Sequence, residues 1–316
     1  MEKIKKIIQP VLRVFGYYKI KSKIRWCQFL ARLEKGDAAR KTEALAWIEA
    51  IDHRILPDIK KDDNVTISLT SHGKRVADFA PFAIYSIFQQ TVLPNRIVLN
   101  INREKWNEDN IPEIIKKLQI AGLEVNFCED VGPHTKLLPT LQKYPDDIII
   151  TVDDDKYYGV DLVHGLLGEY RNYAQKCVIC REGRVVKILD GAIQPYSQWK
   201  TIDDSINDED CLSPYGVGGV LYAPHTFSEE IFNKEVYRVL CPYADDIWFT
   251  VMEIREHIPV YRISQQYQSH ICVNHTNEYE VQNSDALHFR NDQLGENDVQ
   301  LSRLVEYYNL NEYFKA

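Results

Sequence analysis

The stretch that most constrains this chain is Asp147-Ile-Ile-Ile-Thr-Val-Asp-Asp-Asp155. From Ile148 to Val152 every residue is apolar or β-branched, the mark of a strand buried on both faces of a mostly parallel, helix-covered sheet. The strand then runs into Asp153, Asp154 and Asp155. A buried strand has no use for adjacent negative charges. They belong at its C-terminal end, where open α/β sheets place their ligands. Strand alternation sends Asp153 and Asp155 to one side and Asp154 to the other. Two convergent carboxylates suit a hard divalent cation, Mn2+ or Mg2+, that keeps positions free for phosphate oxygens.

The chain before this stretch alternates strand and helix. Strands are predicted at Val65–Thr70, Arg96–Ile101 and Leu123–Phe127, and helices at about 78–90, 111–121 and 135–144. That rhythm implies a doubly wound sheet with right-handed crossovers. After the triplet come a helix over 161–175, strands at 177–179 and 184–189, and the glycine-rich Gly216-Val-Gly-Gly-Val-Leu-Tyr222. A helix from Ile247 to His257, a strand at Val260–Ile263 and a closing helix over 298–308 complete the reading. Three regions are expected: a basic helical N-terminal region, 1–60, with separate helices before and after about residue 38; a sheet domain, 61–263; and a C-terminal tail with a closing helix, 264–316, which is expected to order as a lid over a bound ligand.

Charge is uneven. Residues 1–35 hold ten Lys and Arg against Glu2 and Glu34, while the whole chain carries −8. The main body is therefore strongly acidic, which argues against nucleic acid as a partner. The basic residues of 1–35 alternate with aromatics, as in Tyr17-Tyr-Lys-Ile-Lys-Ser-Lys-Ile-Arg-Trp26, a pattern suited to anionic lipid headgroups or to packing on another surface. No apolar run reaches the roughly 18 residues of a membrane-spanning helix, and no secretory signal core is evident. The expected location is the cytoplasm, with peripheral contact at the inner face of the plasma membrane through residues 1–35. The seven cysteines are scattered, and Cys177-Val-Ile-Cys180 lies in an apolar stretch, so buried inert thiols are expected.

Five segments in this order carry a family resemblance: Thr66-Ile-Ser-Leu-Thr-Ser-His-Gly-Lys-Arg75, Gly132-Pro-His-Thr-Lys136, Asp153-Asp-Asp155, Gly216-Val-Gly-Gly219 and Ala244-Asp-Asp246. Over 65–263 the chain resembles the nucleotide-sugar glycosyltransferases of the GT-A fold, close to the bacterial family-2-like enzymes of surface-polysaccharide assembly. The resemblance implies a Rossmann-like α/β fold and a divalent metal at Asp153 and Asp155 gripping the donor diphosphate. It further implies a nucleoside-diphosphate sugar as donor, taken as UDP-linked, and a glycan or lipid-linked glycan as acceptor.

Site residues follow from residue chemistry together with that resemblance. Thr70 and Ser71 offer hydroxyls, and Arg75 a planar donor, where such folds receive the base. Asp154 is expected at the ribose or bracing the turn. Lys136, at a helix start, suits an anion. Asp246, with Asp245 as second choice, is the expected general base of an inverting transfer; two adjacent carboxylates raise one another's pKa. Gly218 and Gly219 are expected to admit acceptor or donor sugar close to the backbone. The resemblance also implies a C-terminal histidine as third metal ligand, with His270, His275 and His288 all candidates. His134 receives no role. Two rivals stand beside this reading: a sugar-phosphate nucleotidyltransferase, and a non-catalytic glycan- or membrane-binding protein on the same fold.

Overall fold

In the computed structural model, residues 17–51, 64–173, 176–203, 210–263, 270–275, 291 and 294–314 are described. Seven strands form the central sheet: β1 Val65–Thr70, β2 Arg96–Asn102, β3 Leu123–Cys128, β4 Ile148–Thr151, β5 Val178–Cys180, β6 Val220–Tyr222 and β7 Val260–Arg262. Their order is β7-β5-β6-β4-β1-β2-β3. β1 runs parallel to β2 and β4, β2 to β3, and β7 to β5. Only β6 is antiparallel to its neighbours, β4 and β5. Helical crossovers return the chain in the same direction. The described residues between β5 and β6 hold a small antiparallel sheet (183–185, 200–201 and 212–214) in place of a crossover α-helix.

Among the described residues, besides a single-turn helix at Arg75–Asp78, the helices are α1 Tyr17–Glu49, α2 Ala80–Phe88, α3 Glu113–Ile120, α4 Leu138–Lys143, α5 Leu162–Tyr173, α6 Lys234–Leu240, α7 Asp245–Arg255 and α8 Glu296–Tyr307. They cover both faces of the sheet, and β4 shows the division. Ile148, Ile150 and Val152 join Ile67, Leu99, Ile84, Ile115 and Leu166 on one side. Ile149 joins Leu137, Trp248, Phe249, Met252 and Leu304 on the other. This second face also carries a buried polar network. Ser68 Oγ lies 2.6 Å from Thr140 Oγ1, and Asn100 Nδ2 donates to both, at 3.1 and 2.9 Å. Ser68 Oγ also donates to the Lys136 carbonyl at 2.6 Å, which ties the segment carrying Lys136 to β1. Such a network rigidifies what it holds when its members are satisfied.

Two expected helices are built differently. Residues 135–144 form a 3-10 turn, Gly132–Lys136, followed by α4, with Pro139 in its first turn where a missing N–H costs nothing. Around residue 38 the N-terminal helix does not break; α1 runs through Gly36, over which the Arg40 guanidinium packs. Its C-terminal part belongs to the core. Ala44 and Ile48 are fully buried, and Trp47 meets Tyr85 and Phe88. Residues 1–16 and most of the basic-aromatic side chains lie outside what is described, as does the expected division between residues 60 and 61. Among the described residues no helix is long and apolar enough to cross a membrane. Cys177 and Cys180 are buried free thiols, and burial pushes Cys177 up to about 11, which keeps it unreactive.

Candidate active site

Sheet order sets the position of the site. From β1 the chain winds outward through β2 and β3, then crosses back to β4 on the other side of β1. The crevice at this switch point lies beyond the C-terminal ends of β1 and β4. Ser71–Arg75 leave one strand there, and Asp153–Asp155 leave the other.

The strand itself stops at Thr151, and the last ladder-type bond runs from the Val152 N–H to the Ser68 carbonyl at 3.0 Å. The expected strand alternation therefore does not extend through the triplet; Asp154 and Asp155 lie in a turn. The outcome for exposure is nevertheless the same. The Asp154 side chain is 8% exposed, against 25% for Asp153 and 30% for Asp155. Asp154 braces the crevice from within. It accepts from Ser71 Oγ at 2.6 Å and from Arg75 Nε at 3.1 Å, and is also paired with Arg75 Nη2. Arg75 reaches Asp155 as well, at 3.1 Å. Burial opposes the Arg75 charge, but Asp154 and Asp155 overcome it and hold the guanidinium above its usual range. Thr70 turns away, donating to the Asn100 carbonyl at 3.0 Å.

Lys136 joins the two acidic segments. Its Nζ lies 2.6 Å from Asp153 Oδ1 and 3.5 Å from Asp245 Oδ2. Burial alone would depress this ammonium; Asp153, then Asp245 and Asp246, hold it well above the usual lysine range. Asp153 is lowered in return: burial would raise it, but Lys136 overcomes that effect. Asp155 goes the other way. Burial raises it, the charges of Asp153 and Asp154 add to the rise, and Lys156 and Arg75 do not cancel it.

Asp245 and Asp246 open α7. Gln300 of α8 positions the residues just before them by accepting from the Tyr243 N–H at 2.9 Å. Asp246 Oδ1 accepts from the Gly216 N–H at 3.1 Å. Burial first, and then the Asp245 charge, push Asp246 up to about 7, against the opposing pull of Lys136.

The glycines divide unexpectedly. A Cβ on Gly218 would meet Glu182 at 2.9 Å, and one on Gly219 (φ +85°) would meet Leu162 at 3.0 Å, so both serve chain packing. Gly216 is the glycine at the site, since its Cβ would fall 2.7 Å from Lys136 Nζ and 3.0 Å from Asp246 Oδ1. Tyr158 is a second residue that sequence reasoning missed. Its hydroxyl accepts from the Asp153 N–H at 2.7 Å and donates to the Val217 carbonyl at 3.1 Å, linking triplet to glycine turn. No local pattern marks it.

The three histidines part company. His270 lies against Tyr158, with ring centroids 6.2 Å apart, within electrostatic reach of Asp153 and Lys156. Its buried Nδ1 sits 3.4 Å from Glu182 Oε1 and makes no hydrogen bond among the described residues. His275 is turned to Asp37, and His288 lies outside the described residues. His134 is fully buried and stacks on Tyr237, its centroid 4.7 Å away. Burial lowers it to about 4, so it is neutral.

Among the described residues no three His, Cys, Asp and Glu side chains already stand as a ligating cluster. The donor set nonetheless fits a divalent cation shared with a diphosphate. The five aspartates, if all ionised, outnumber the three cations that touch them, Arg75, Lys136 and Lys156, by two charges. Asp153 and Asp155 are the open members, and His270 Nδ1, 3.4 Å from Glu182 Oε1, makes no hydrogen bond among the described residues.

No protein-family model and no curated protein matches this sequence. Among solved structures the chain is similar to residues 1–349 of S. aureus TarS, at 14% identity over 79% of this chain and 74% of that one, with a TM-score of 0.43. It is also similar to the mannosyltransferase PcManGT from Pyrobaculum calidifontis in complex with GDP-Man and Mn2+, at 11% identity, 88% and 85% coverage and a TM-score of 0.41. A third is the 2-C-methyl-D-erythritol 4-phosphate cytidylyltransferase of Francisella tularensis, at 12% identity, 70% and 98% coverage and a TM-score of 0.39. Glycosyltransferases and nucleotidyltransferases are thus both among the similar structures.

Proposed function

We propose that this chain is a metal-dependent glycosyltransferase, moving a sugar from a nucleoside-diphosphate donor, UDP-linked, to a hydroxyl of a glycan or lipid-linked glycan acceptor with inversion. The observation that carries the reading is Asp246. It is a carboxylate raised to about 7, anchored on one oxygen by the Gly216 N–H and set beside the Lys136–Asp153 pair at the crevice. A base with a pKa near the working pH is the most effective proton acceptor for a hydroxyl.

The chemistry follows from the placement. The acceptor hydroxyl gives its proton to Asp246 as its oxygen bonds to the anomeric carbon. The bond from that carbon to the diphosphate oxygen breaks on the opposite side, releasing nucleoside diphosphate. Lys136 and Arg75 supply fixed positive charge where negative charge grows on the leaving group. Asp153 and Asp155, with His270 as the C-terminal candidate, would hold Mn2+ or Mg2+, which supplies further charge to the departing diphosphate. Ser71, braced on Asp154 with Arg75, shapes the wall that receives the nucleotide. The basic residues of 1–35 would hold the enzyme against an anionic membrane surface, bringing a lipid-linked acceptor within reach.

The test is a thermal-shift comparison of UDP, GDP, CMP and dTDP, each with and without Mn2+, followed by analysis of the released product. A ligand that binds the native state raises the melting temperature. A metal-dependent shift with UDP, and release of UDP from a UDP-sugar, is the expected result. Release of pyrophosphate from a nucleoside triphosphate would make the chain a nucleotidyltransferase. No shift with any nucleotide would favour a non-catalytic binding protein.

A further inference from the structure

The segment 270–275 returns to the acidic triplet from far along the chain. Ile271 and Cys272 pair antiparallel with Tyr157 and Lys156, and the Val273 N–H donates to the Asp155 carbonyl at 2.8 Å. His270, at the start of this segment, faces Tyr158 and Glu182. A two-residue strand is weak on its own. Something else must hold it.

Lys156 Nζ donates to Cys272 Sγ at 3.2 Å, and further contacts come from α1. Asp37 is 6% exposed, and both its oxygens are used. Oδ2 accepts from the His275 N–H at 2.8 Å; Oδ1 lies 2.7 Å from His275 Nδ1 and 2.6 Å from Arg40 Nη2. About two helical turns further along, Ala44 closes a small apolar cluster with Val273, Tyr157 and Phe82. The segment is thus fixed at one end by the triplet's own backbone and at the other by α1.

We propose that Asp37 is a positioning residue of the active site. Through His275 it clasps the 270–275 segment against the turn carrying Asp155, and so holds His270 in place beside the donor crevice. α1, which the family resemblance does not reach, is then part of the machinery. The role of His270 toward a donor rests on the function proposed above; the clasp itself does not. A buried carboxylate with two donors on one segment loses both bonds when truncated, and the donors are left unmet.

Hydrogen exchange of the full-length protein, wild type against Asp37→Ala, reads the peptide spanning 270–275 directly. Exchange there should speed up by about tenfold or more, as loss of roughly one hydrogen bond's worth of ordering requires, while β1 and β4 stay as protected as before. UDP affinity measured with Mn2+ should fall by about the same factor, as a rise in KM with kcat kept. His275→Ala, which cuts the clasp from its other side but keeps the backbone bond, should give a smaller change of the same kind. Unchanged exchange in 270–275 overturns the clasp whatever UDP does. Faster exchange with UDP affinity intact overturns the positioning role. If the wild type ignores UDP and Mn2+, the donor reading fails, and the exchange result alone decides the clasp. Should Asp37→Ala unfold β1 and β4, Asp37→Asn, which keeps an acceptor for the His275 N–H, replaces it in the same comparison.

Discussion

The two acidic ends of the crevice are built in opposite ways. At the β4 end each carboxylate has a cation: Lys136 on Asp153, Arg75 on Asp154, and both Arg75 and Lys156 on Asp155. At the α7 end two adjacent carboxylates share one distant ammonium, with Lys136 Nζ 3.5 Å from Asp245, and Asp246 has a single backbone donor. Pairing keeps Asp153 ionised; burial, and then the Asp245 charge, push Asp246 up to about 7. Identical side chains thus acquire different work from their surroundings. A charged platform suits binding a diphosphate with its metal, and a poised carboxylate suits taking a proton.

The largest expected effect comes from exchanging the charge at each end in turn. Asp246→Asn should lower kcat by about 10²–10⁴, the usual contribution of a general base, and leave metal-dependent UDP affinity where it was. Asp153→Asn should lose UDP affinity and turnover together, by about 10³ in kcat/KM. Steady-state kinetics beside direct titration of UDP would separate the two. If both variants lose binding alike, the contrast between the ends is wrong.

A smaller effect probes the internal brace. Asp154 is the buried member of the triplet, and its removal strands the Ser71 hydroxyl and weakens the hold on Arg75. Asp154→Ala should cost about 2–4 kcal/mol in urea unfolding, a little under the roughly 3–5 kcal/mol for breaking a fully buried pair because the Arg75 side chain is 31% exposed. The corresponding change at the open Asp155 should cost clearly less. Equal losses at the two positions would mean that Asp154 is no more structural than its neighbour.

Much of the sheet was legible because buried strands and amphipathic helices write their periods locally. Val65–Thr70 matches β1 residue for residue, and the apolar run before the triplet is β4. The acidic residues of both ends stood out because charge beside a buried run has no packing explanation. What escaped were relations between distant residues. Gly216, not the more conspicuous Gly218-Gly219 pair, faces Lys136 and Asp246, and that depends on how the turn after 214 lands on α7. His270 and His275 look equivalent in the chain, yet one meets Tyr158 and the other meets Asp37, 238 residues away. Alternation misjudged how far β4 extends, because β4 leaves the ladder after Thr151 pairs with Ser68 while β1 runs on to Thr70 beside β2, a divergence that β4 alone does not reveal.

The contrast between the two ends also has a pH signature in stability. Asp246 binds its proton more tightly folded, with a pKa of about 7, than in an unfolded chain, near the ordinary 3.8. Between those values the folded state holds more protons, so stability falls as pH rises across the window. The proton-linked stabilisation is complete below about 4 and gone above 7. Asn at this position cannot titrate, and it can still accept the Gly216 N–H. Asp246→Asn should therefore match the wild type near the acid end of the window and exceed it by about 1–3 kcal/mol at pH 8, somewhat less than the full shift would give because Lys136 loses a partner. Asp153, whose folded pKa is depressed by Lys136, should behave inversely. Its replacement by Asn should cost stability at pH 8, and the cost should shrink as the pH falls toward and below its ordinary range. Urea unfolding of the three proteins from about pH 3 to 8 measures both trends, the Asp246 trend between about 4 and 7 and the Asp153 trend below its ordinary 3.8. Parallel curves would show that the two ends do not differ in the way their partners require.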